Sequence, residues 1–187
     1  MWEREKIINS LLFFAQQVKY PTRVKLLKLL YYLDERSVME RGLPVTDLDY
    51  YVWDHGPVAR EVWDEMEAGL ANDLGEALEQ SRLEYDGKIQ YEYKAKKKPD
   101  LEVFSPREQR ILAELVEVWK DISPSVMSEA THENGRPWRK AKKEKGMYSQ
   151  LDIAKAVGAN SPVLEEKVRE DIADRREMIR NLSRRKQ

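Results

Sequence analysis

Residues 25–34 read KLLKLLYYLD, and this stretch decides the fold class. Its leucines and tyrosines recur at helical spacing and cover most of the helix circumference, which is typical of a helix surrounded by other helices. Thr22 predicts the N-cap, because a hydroxyl there accepts a backbone N–H that has no partner inside the helix. Gly42 predicts the C-cap, where glycine readily adopts a left-handed conformation. We therefore expect a helix over 23–41 at the centre of the core.

Helices are also predicted on both sides of this central helix. Apolar residues at helical spacing predict one over 2–18. After the turn 54–57, a helix is predicted to begin at Pro57 and end near Gly69, because proline suits the first helical position. Further helices are predicted over 72–81, over 106–120 behind a capping box of Ser105 and Glu108, over 124–134, after Pro137, and from Pro162 onward.

The clearest strand pattern lies in the middle of the chain. Residues 83–85 and 89–93 alternate in polarity on either side of Asp86-Gly87, a pair that suits a tight hairpin turn. We expect one small β-hairpin there, and an extended segment over 47–53.

These elements together predict an α+β fold that is predominantly α-helical. A compact helical domain over 1–160 would contain the hairpin. A charged C-terminal helix over 161–187 would follow, either packed on the body or extended from it, because its apolar stripe is narrow.

Composition excludes several classes of site. The chain has no cysteine, so disulfides, thiolate metal sites and cysteine nucleophiles are absent. Its formal net charge is −1, from 33 basic and 34 acidic residues, which gives no general attraction to nucleic acid or to an anionic membrane. No apolar run approaches the roughly 18 residues of a membrane span, and no signal peptide is visible. We expect a cytoplasmic protein.

The sequence offers little support for catalysis. His55 and His132 are the only histidines, and neither has a local set of partners. His132-Glu133 resembles the start of a zinc-protease helix motif, but Arg136 stands where the second histidine belongs. Nucleophile-elbow serines and phosphate-binding glycine patterns are also missing. We expect no enzymatic activity, no catalytic residue, no metal and no cofactor.

Two basic segments have alternative interpretations. Residues 136–143 combine Trp138 with five basic side chains, which would suit phosphate contacts and base stacking. We favour the alternative that Trp138 anchors a short helix on the core while its charges face water. The tail over 175–187 has six basic residues and could dock on another protein, pair with a second copy or remain solvated.

The order of motifs resembles one known family. The 25–34 helix is followed by Gly42-Leu43-Pro44-Val45, by YVWDHGPV at residues 51–58, by Val62-Trp63, and later by Thr131-His132 and Pro137-Trp138. Over about residues 5–145 this order resembles the Panacea domain, a family of antitoxin modules that includes SocA-like antitoxins and phage-associated GepA-like proteins. Val45 stands where leucine is commoner in that family, and the resemblance does not cover the tail beyond Ser161.

The resemblance implies an antitoxin that binds and neutralises a cognate toxin protein, usually encoded by the adjacent gene. Delivery of the toxin to a protease is a second mode that it leaves open. We interpret the motif residues as mainly fold-specifying: Lys25, Leu29, Tyr31, Trp53, Gly56, Pro57, Val58, His132 and Trp138.

Contacts with the partner are expected from aromatic side chains, provided that they are exposed, because aromatic anchors dominate many interfaces. The candidates are Tyr50, Tyr51, Trp63 and Tyr91. The alternative function is a nucleic-acid-binding regulator that uses residues 136–143 or the tail, although the neutral net charge disfavours nucleic acid as a partner. No membrane partner is expected, and homo-oligomerisation stays open.

Overall fold

A computed structural model describes residues 2–85, 88–157 and 162–184. Helices dominate these ranges, and two antiparallel strand pairs accompany them, so the predicted α+β, predominantly helical class is confirmed. In chain order the elements are α1 (Trp2–Gln17), α2 (Arg23–Arg41), β1 (Tyr50–Trp53), β2 (Gly56–Ala59), α3 (Arg60–Glu67), α4 (Asn72–Ala77), β3 (Leu78–Tyr85), β4 (Lys88–Ala95), α5 (Pro106–Trp119), α6 (Pro124–Thr131), α7 (Pro137–Lys145), a 3₁₀ helix (Ile153–Val157) and α8 (Pro162–Arg184).

Helix α2 is the centre of the core, as predicted. It contacts α1, α3, α5, α6, β2 and the 3₁₀ helix, and its leucines are buried. Thr22 caps its N-terminus by accepting the Lys25 N–H at 3.4 Å. Gly42 ends the helix with φ of 74°, the left-handed conformation expected of a C-cap glycine. The capping residues and the apolar residues on all sides of α2 therefore predict its bounds and its burial correctly.

A buried carboxylate fixes the chain that follows α2. Asp34 accepts the backbone N–H groups of Val45 and Thr46 at 2.7 and 2.8 Å. It also accepts the hydroxyls of Thr46 and Tyr50, the latter at 2.9 Å. Burial raises the pKa of the Asp34 carboxyl, although these hydrogen bonds oppose the rise. The network holds the loop against α2 and so positions strand β1.

Two hairpins are present where the sequence predicts one. The predicted hairpin pairs β3 with β4 from Leu78↔Ala95 to Tyr85↔Lys88, and its turn at Asp86-Gly87 lies outside the described residues. Strands β1 and β2 form the second hairpin, in which Val52 opposes Pro57.

The helix predicted to begin at Pro57 is therefore wrong at its start, because α3 begins at Arg60. Pro57 is instead extended in β2, where it pairs with Val52 and its carbonyl accepts a hydrogen bond from Lys28 of α2. The outer edge of β1 is also paired, since the Val52 N–H donates to Ser149 O and the Tyr148 N–H donates to Val52 O. These contacts are distant in sequence and override the local preference for a proline-initiated helix.

Helix α8 packs on the body as far as Arg176. Val168 and Ile172 are buried, and Arg169 binds the Asp152 carboxylate at 2.7 Å. Arg176 contacts Asp47 and Asp49, at 3.3 and 2.9 Å. The predicted boundary between residues 160 and 161 lies outside the described residues.

Candidate functional site

Residues from three separate motifs meet beside α2. The ammonium of Lys28 is buried and donates to Pro57 O at 3.0 Å. Gly56 lies against the same ammonium with φ of +100°, and a Cβ there would stand 2.6 Å from Lys28 Nζ and 2.4 Å from Thr131 Oγ1. Only glycine fits at this point, because the backbone has positive φ and two buried polar atoms fill the space of a side chain.

Aromatic stacking fixes the neighbouring wall. The rings of His132 and Trp138 are stacked with centroids 3.7 Å apart. The Trp138 Nε1–H donates to Trp53 O at 3.1 Å, so α7 is tied to strand β1. Trp138 is buried, whereas Arg139 and Lys142 on the same helix are exposed. This is the arrangement that we favoured for the basic segment.

A cleft opens next to these residues, between α2, the β1–β2 turn and α3. Its volume is about 250 Å³. Trp53 and Trp63 meet edge to face in its wall, with centroids 5.2 Å apart. Arg23 lies over the Trp63 ring at 3.8 Å. The lining residues are mostly apolar: Val24, Leu27, Lys28, Trp53, Asp54, His55, Val58, Trp63 and Tyr148.

The interior beside the cleft is electropositive. Burial lowers the pKa of Lys28 to about 7. The pKa of His132 is lowered first by burial and then by the positive charges of Lys28, Lys142 and Arg139, with His55 adding to the effect. His132 Nε2 is buried and has no hydrogen-bond partner among the described residues. An anionic group here would meet several cations and one exposed carboxylate, that of Asp54.

Two further motif residues serve the fold. Tyr31 donates to the buried Glu35 carboxylate at 2.9 Å, and Arg136 binds its other oxygen at 2.7 Å. Lys25 is buried and donates to the carbonyls of Lys19 and Lys120, at 2.8 and 2.9 Å. These contacts fix helix positions and leave no polar surface for a partner.

The candidate anchors do not lie together. Tyr50 is buried and its hydroxyl donates to Asp34, so it does not meet the condition of exposure on which it was a candidate contact residue. The strand alternation turns Tyr50 to the core and leaves Tyr51 half-buried. Trp63 and Tyr91 are half-buried, and of the four candidates Trp63 is the one that lines the cleft.

Tyr148 and Lys28 are among the lining residues that sequence reasoning did not single out. Tyr148 is 66% exposed at the rim, in a segment without a regular pattern, so no local signal marks it. Lys28 stands inside the leucine-rich run of α2, and a lysine on an otherwise apolar surface is a signal that could have identified it.

The family model of the SocA-like antitoxins, the Panacea domain, matches residues 26–139, more than half of the chain. The chain belongs to this antitoxin family. No curated protein and no solved structure matches it.

The Panacea segment begins in α2 and ends in α7. It therefore contains Lys28, the β1–β2 hairpin and α3, while the rim residue Tyr148 follows it. Helix α1 and the C-terminal helix α8 lie outside the match, which is shorter than the stretch over which we noted the resemblance.

The described residues of this Panacea-family chain contain neither a cluster of metal-ligand side chains nor a membrane-spanning helix. Among residues 2–85, 88–157 and 162–184, no group of three or more histidine, aspartate or glutamate side chains is placed to hold a metal ion. Within the same ranges, no helix combines the length and the apolar character needed to cross a membrane.

Proposed function

We propose that this chain is an antitoxin that neutralises a cognate toxin protein by direct, stoichiometric binding, without catalysis, and that the face containing the cleft contacts the toxin. The observation that carries the proposal is the tryptophan-lined cleft, whose lining belongs to the segment that matches the family except for Val24 and Tyr148. Aromatic pockets that exclude water are where a few side chains supply most of the affinity of an interface.

The size of the cleft favours a protein partner over a small molecule. Its volume of about 250 Å³ is below the roughly 300–1,000 Å³ of typical ligand pockets. A cleft of this size suits one side chain of a partner, with the rest of the interface on the surrounding surface. A standard interface buries about 1,600 Å² in total.

The contacts of the basic segment argue against the alternative function of nucleic-acid binding. Arg136 is paired with the buried Glu35, and Lys140 is paired with Glu165. Trp138 is buried and stacked on His132, so it offers no free face to a base. Sequence-selective DNA binding that weakens steeply with salt would favour this alternative.

Co-expression tests the proposal directly. The product of the adjacent reading frame is expressed alone and together with this chain, and growth and copurification are measured. We expect growth to recover and the two proteins to copurify in equal amounts. A neighbour that is harmless alone and does not copurify would contradict the proposal. Following toxin abundance over time separates the two modes, because delivery to a protease shortens the toxin lifetime and simple blocking does not.

A matched pair of variants tests the face. Tyr148 is 66% exposed with φ of 62°, and Tyr20 is 71% exposed with φ of 52° but does not line the cleft. Asparagine tolerates positive φ, so both Tyr→Asn variants should fold. We expect Tyr148→Asn to weaken toxin binding and Tyr20→Asn to leave it unchanged. Equal affinities for both variants would place the interface elsewhere.

A further inference from the structure

The ammonium of Lys28 has unused hydrogen-bonding capacity. An ammonium has three N–H donors, and Lys28 Nζ has a single acceptor, Pro57 O, among the described residues. No carboxylate among those residues forms an ion pair with it, although the residue is only 2% exposed. A buried charge without a partner is unfavourable, so an anionic group of another molecule that reaches this ammonium from the cleft would form a stabilising ion pair with it.

We propose that the cleft binds a segment of a protein partner in which an aromatic or long aliphatic side chain stands next to a carboxylate, with the apolar side chain against Trp53 and Trp63 and the carboxylate directed to Lys28. This inference rests on the proposed function for the partner being a protein, and it adds the chemistry by which that partner is recognised.

The apolar half of this recognition follows from the lining. Trp53, Trp63, Val58 and Leu27 present carbon surface, and burial of such surface is favourable at about 25 cal/mol per Å². The volume of about 250 Å³ admits one large side chain but is smaller than a typical ligand pocket. A nucleotide would therefore leave most of its surface outside the cleft.

The acidic half follows from the surrounding charges. Lys28 donates to Pro57 O of β2, and the positive charges of Lys28, Arg139 and Lys142 act on His132, which follows α6. The one carboxylate in the lining, Asp54 of the β1–β2 turn, is exposed to water, where its effect is screened. Lys28 is buried and is screened less than this exposed carboxylate, so its ammonium determines the charge that the cleft prefers, and complementarity selects an anionic partner group.

The test uses two probes of the same shape and different charge. N-acetyl-phenylalanine carries a carboxylate, and its amide is neutral. Both are titrated into the full-length protein while the indole N–H signals of the assigned tryptophans are followed by NMR. At pH 6 we expect the signals of Trp53 and Trp63 to shift with both probes. We expect the carboxylate to bind about tenfold more tightly, a difference of about 1.4 kcal/mol.

Two further measurements identify Lys28 as the source of the preference. Raising the pH to 8.5 should abolish it, because burial lowers the pKa of Lys28 to about 7 and the ammonium is then neutral. Burial and the neighbouring cations lower the pKa of His132, so this group titrates below the range in which Lys28 loses its proton. Lys28→Met should also abolish the preference while keeping affinity for the amide, and that retained affinity shows that the variant is folded.

Several outcomes would overturn the inference. These are equal affinity of the two probes at pH 6, a preference that survives in Lys28→Met or at pH 8.5, and the absence of shifts at Trp53 and Trp63. Tighter binding of adenosine monophosphate than of N-acetyl-phenylalanine would instead indicate a nucleotide site and also overturn it.

The two proposals fail separately. If the toxin binds Lys28→Met as well as wild type and the two probes have equal affinity, recognition of a partner carboxylate by Lys28 is contradicted. The proposed antitoxin function is not affected by that result. Probe results as expected with no copurifying toxin leave the site standing and contradict the antitoxin function.

Discussion

Gly56 is the position where the structure makes its sharpest prediction about stability. Alanine there would keep φ of +100°, which costs a non-glycine residue about 1–2 kcal/mol. Its Cβ would also stand 2.4 Å from Thr131 Oγ1 and 2.6 Å from Lys28 Nζ. Neither atom can yield cheaply. Thr131 Oγ1 donates to Ser128 O, and moving Lys28 Nζ breaks its hydrogen bond to Pro57 O.

The steric part is expected to cost about 1–3 kcal/mol, as for other atoms forced into a packed interior. Gly56→Ala should therefore lower the free energy of unfolding by about 2–5 kcal/mol. For a chain of this length each kcal/mol lowers the melting temperature by about 2–4 °C.

Gly69→Ala is the matched control. Gly69 has φ of +98°, nearly that of Gly56, but a Cβ there would meet no atom within 4 Å. Gly69→Ala should lower the free energy of unfolding only by the cost of the positive φ, about 1–2 kcal/mol. Urea unfolding of both variants measures the difference, for which we expect about 2 kcal/mol. If Gly56→Ala proves no less stable than Gly69→Ala, the close contact of Gly56 with Lys28 and Thr131 is refuted.

Three further predictions concern buried charges. From pH 7 to 9 the free energy of unfolding of wild type, relative to that of Lys28→Met, should rise by up to about 1.4 kcal/mol per pH unit. The reason is that Lys28, with a pKa of about 7 in the folded chain, has lost a proton there that the unfolded chain still binds. Urea unfolding at each pH measures this, and an equal pH dependence of the two proteins would refute it. Asp34→Asn should lower the free energy of unfolding by about 3 kcal/mol in the same assay, because an amide cannot accept the four hydrogen bonds of the carboxylate. A decrease below about 0.5 kcal/mol would show that this network contributes little to stability. Arg136→Ala should lower the melting temperature because it leaves buried Glu35 without its counter-charge, whereas Arg139→Ala, on exposed surface, should not; equal shifts would contradict the ion pair.

Features that depend on neighbouring residues were predictable from the sequence. Thr22, Ser105 and Gly42 stand at helix ends that the structure confirms, and Ser105 and Glu108 form the predicted capping box. The β3–β4 hairpin followed from alternation over a few residues. In each case the interaction that sets the structure joins residues close in the chain, so the pattern itself carries the information.

Features set by distant contacts were not predictable. The carbonyl of Pro57, in β2, accepts a hydrogen bond from Lys28, 29 positions earlier. No local sequence pattern predicts that hydrogen bond. The cleft joins α2 to Tyr148, more than 100 residues away. The extended segment predicted over 47–53 did not show which of Tyr50 and Tyr51 turns inward, because the hydrogen bond of Tyr50 to Asp34 joins residues on separate elements.

The contacts of Lys25 have a consequence for how the protein assembles. Its ammonium is satisfied by two carbonyls, one six residues earlier, beyond the end of α1, and one 95 residues later, beyond the end of α5. Until both carbonyls are in place, α2 would bury a cation without partners, which is strongly unfavourable. We therefore expect the junction of α1, α2 and α5 to form in one cooperative step, because Lys25 is fully hydrogen-bonded only when all three helices are in place.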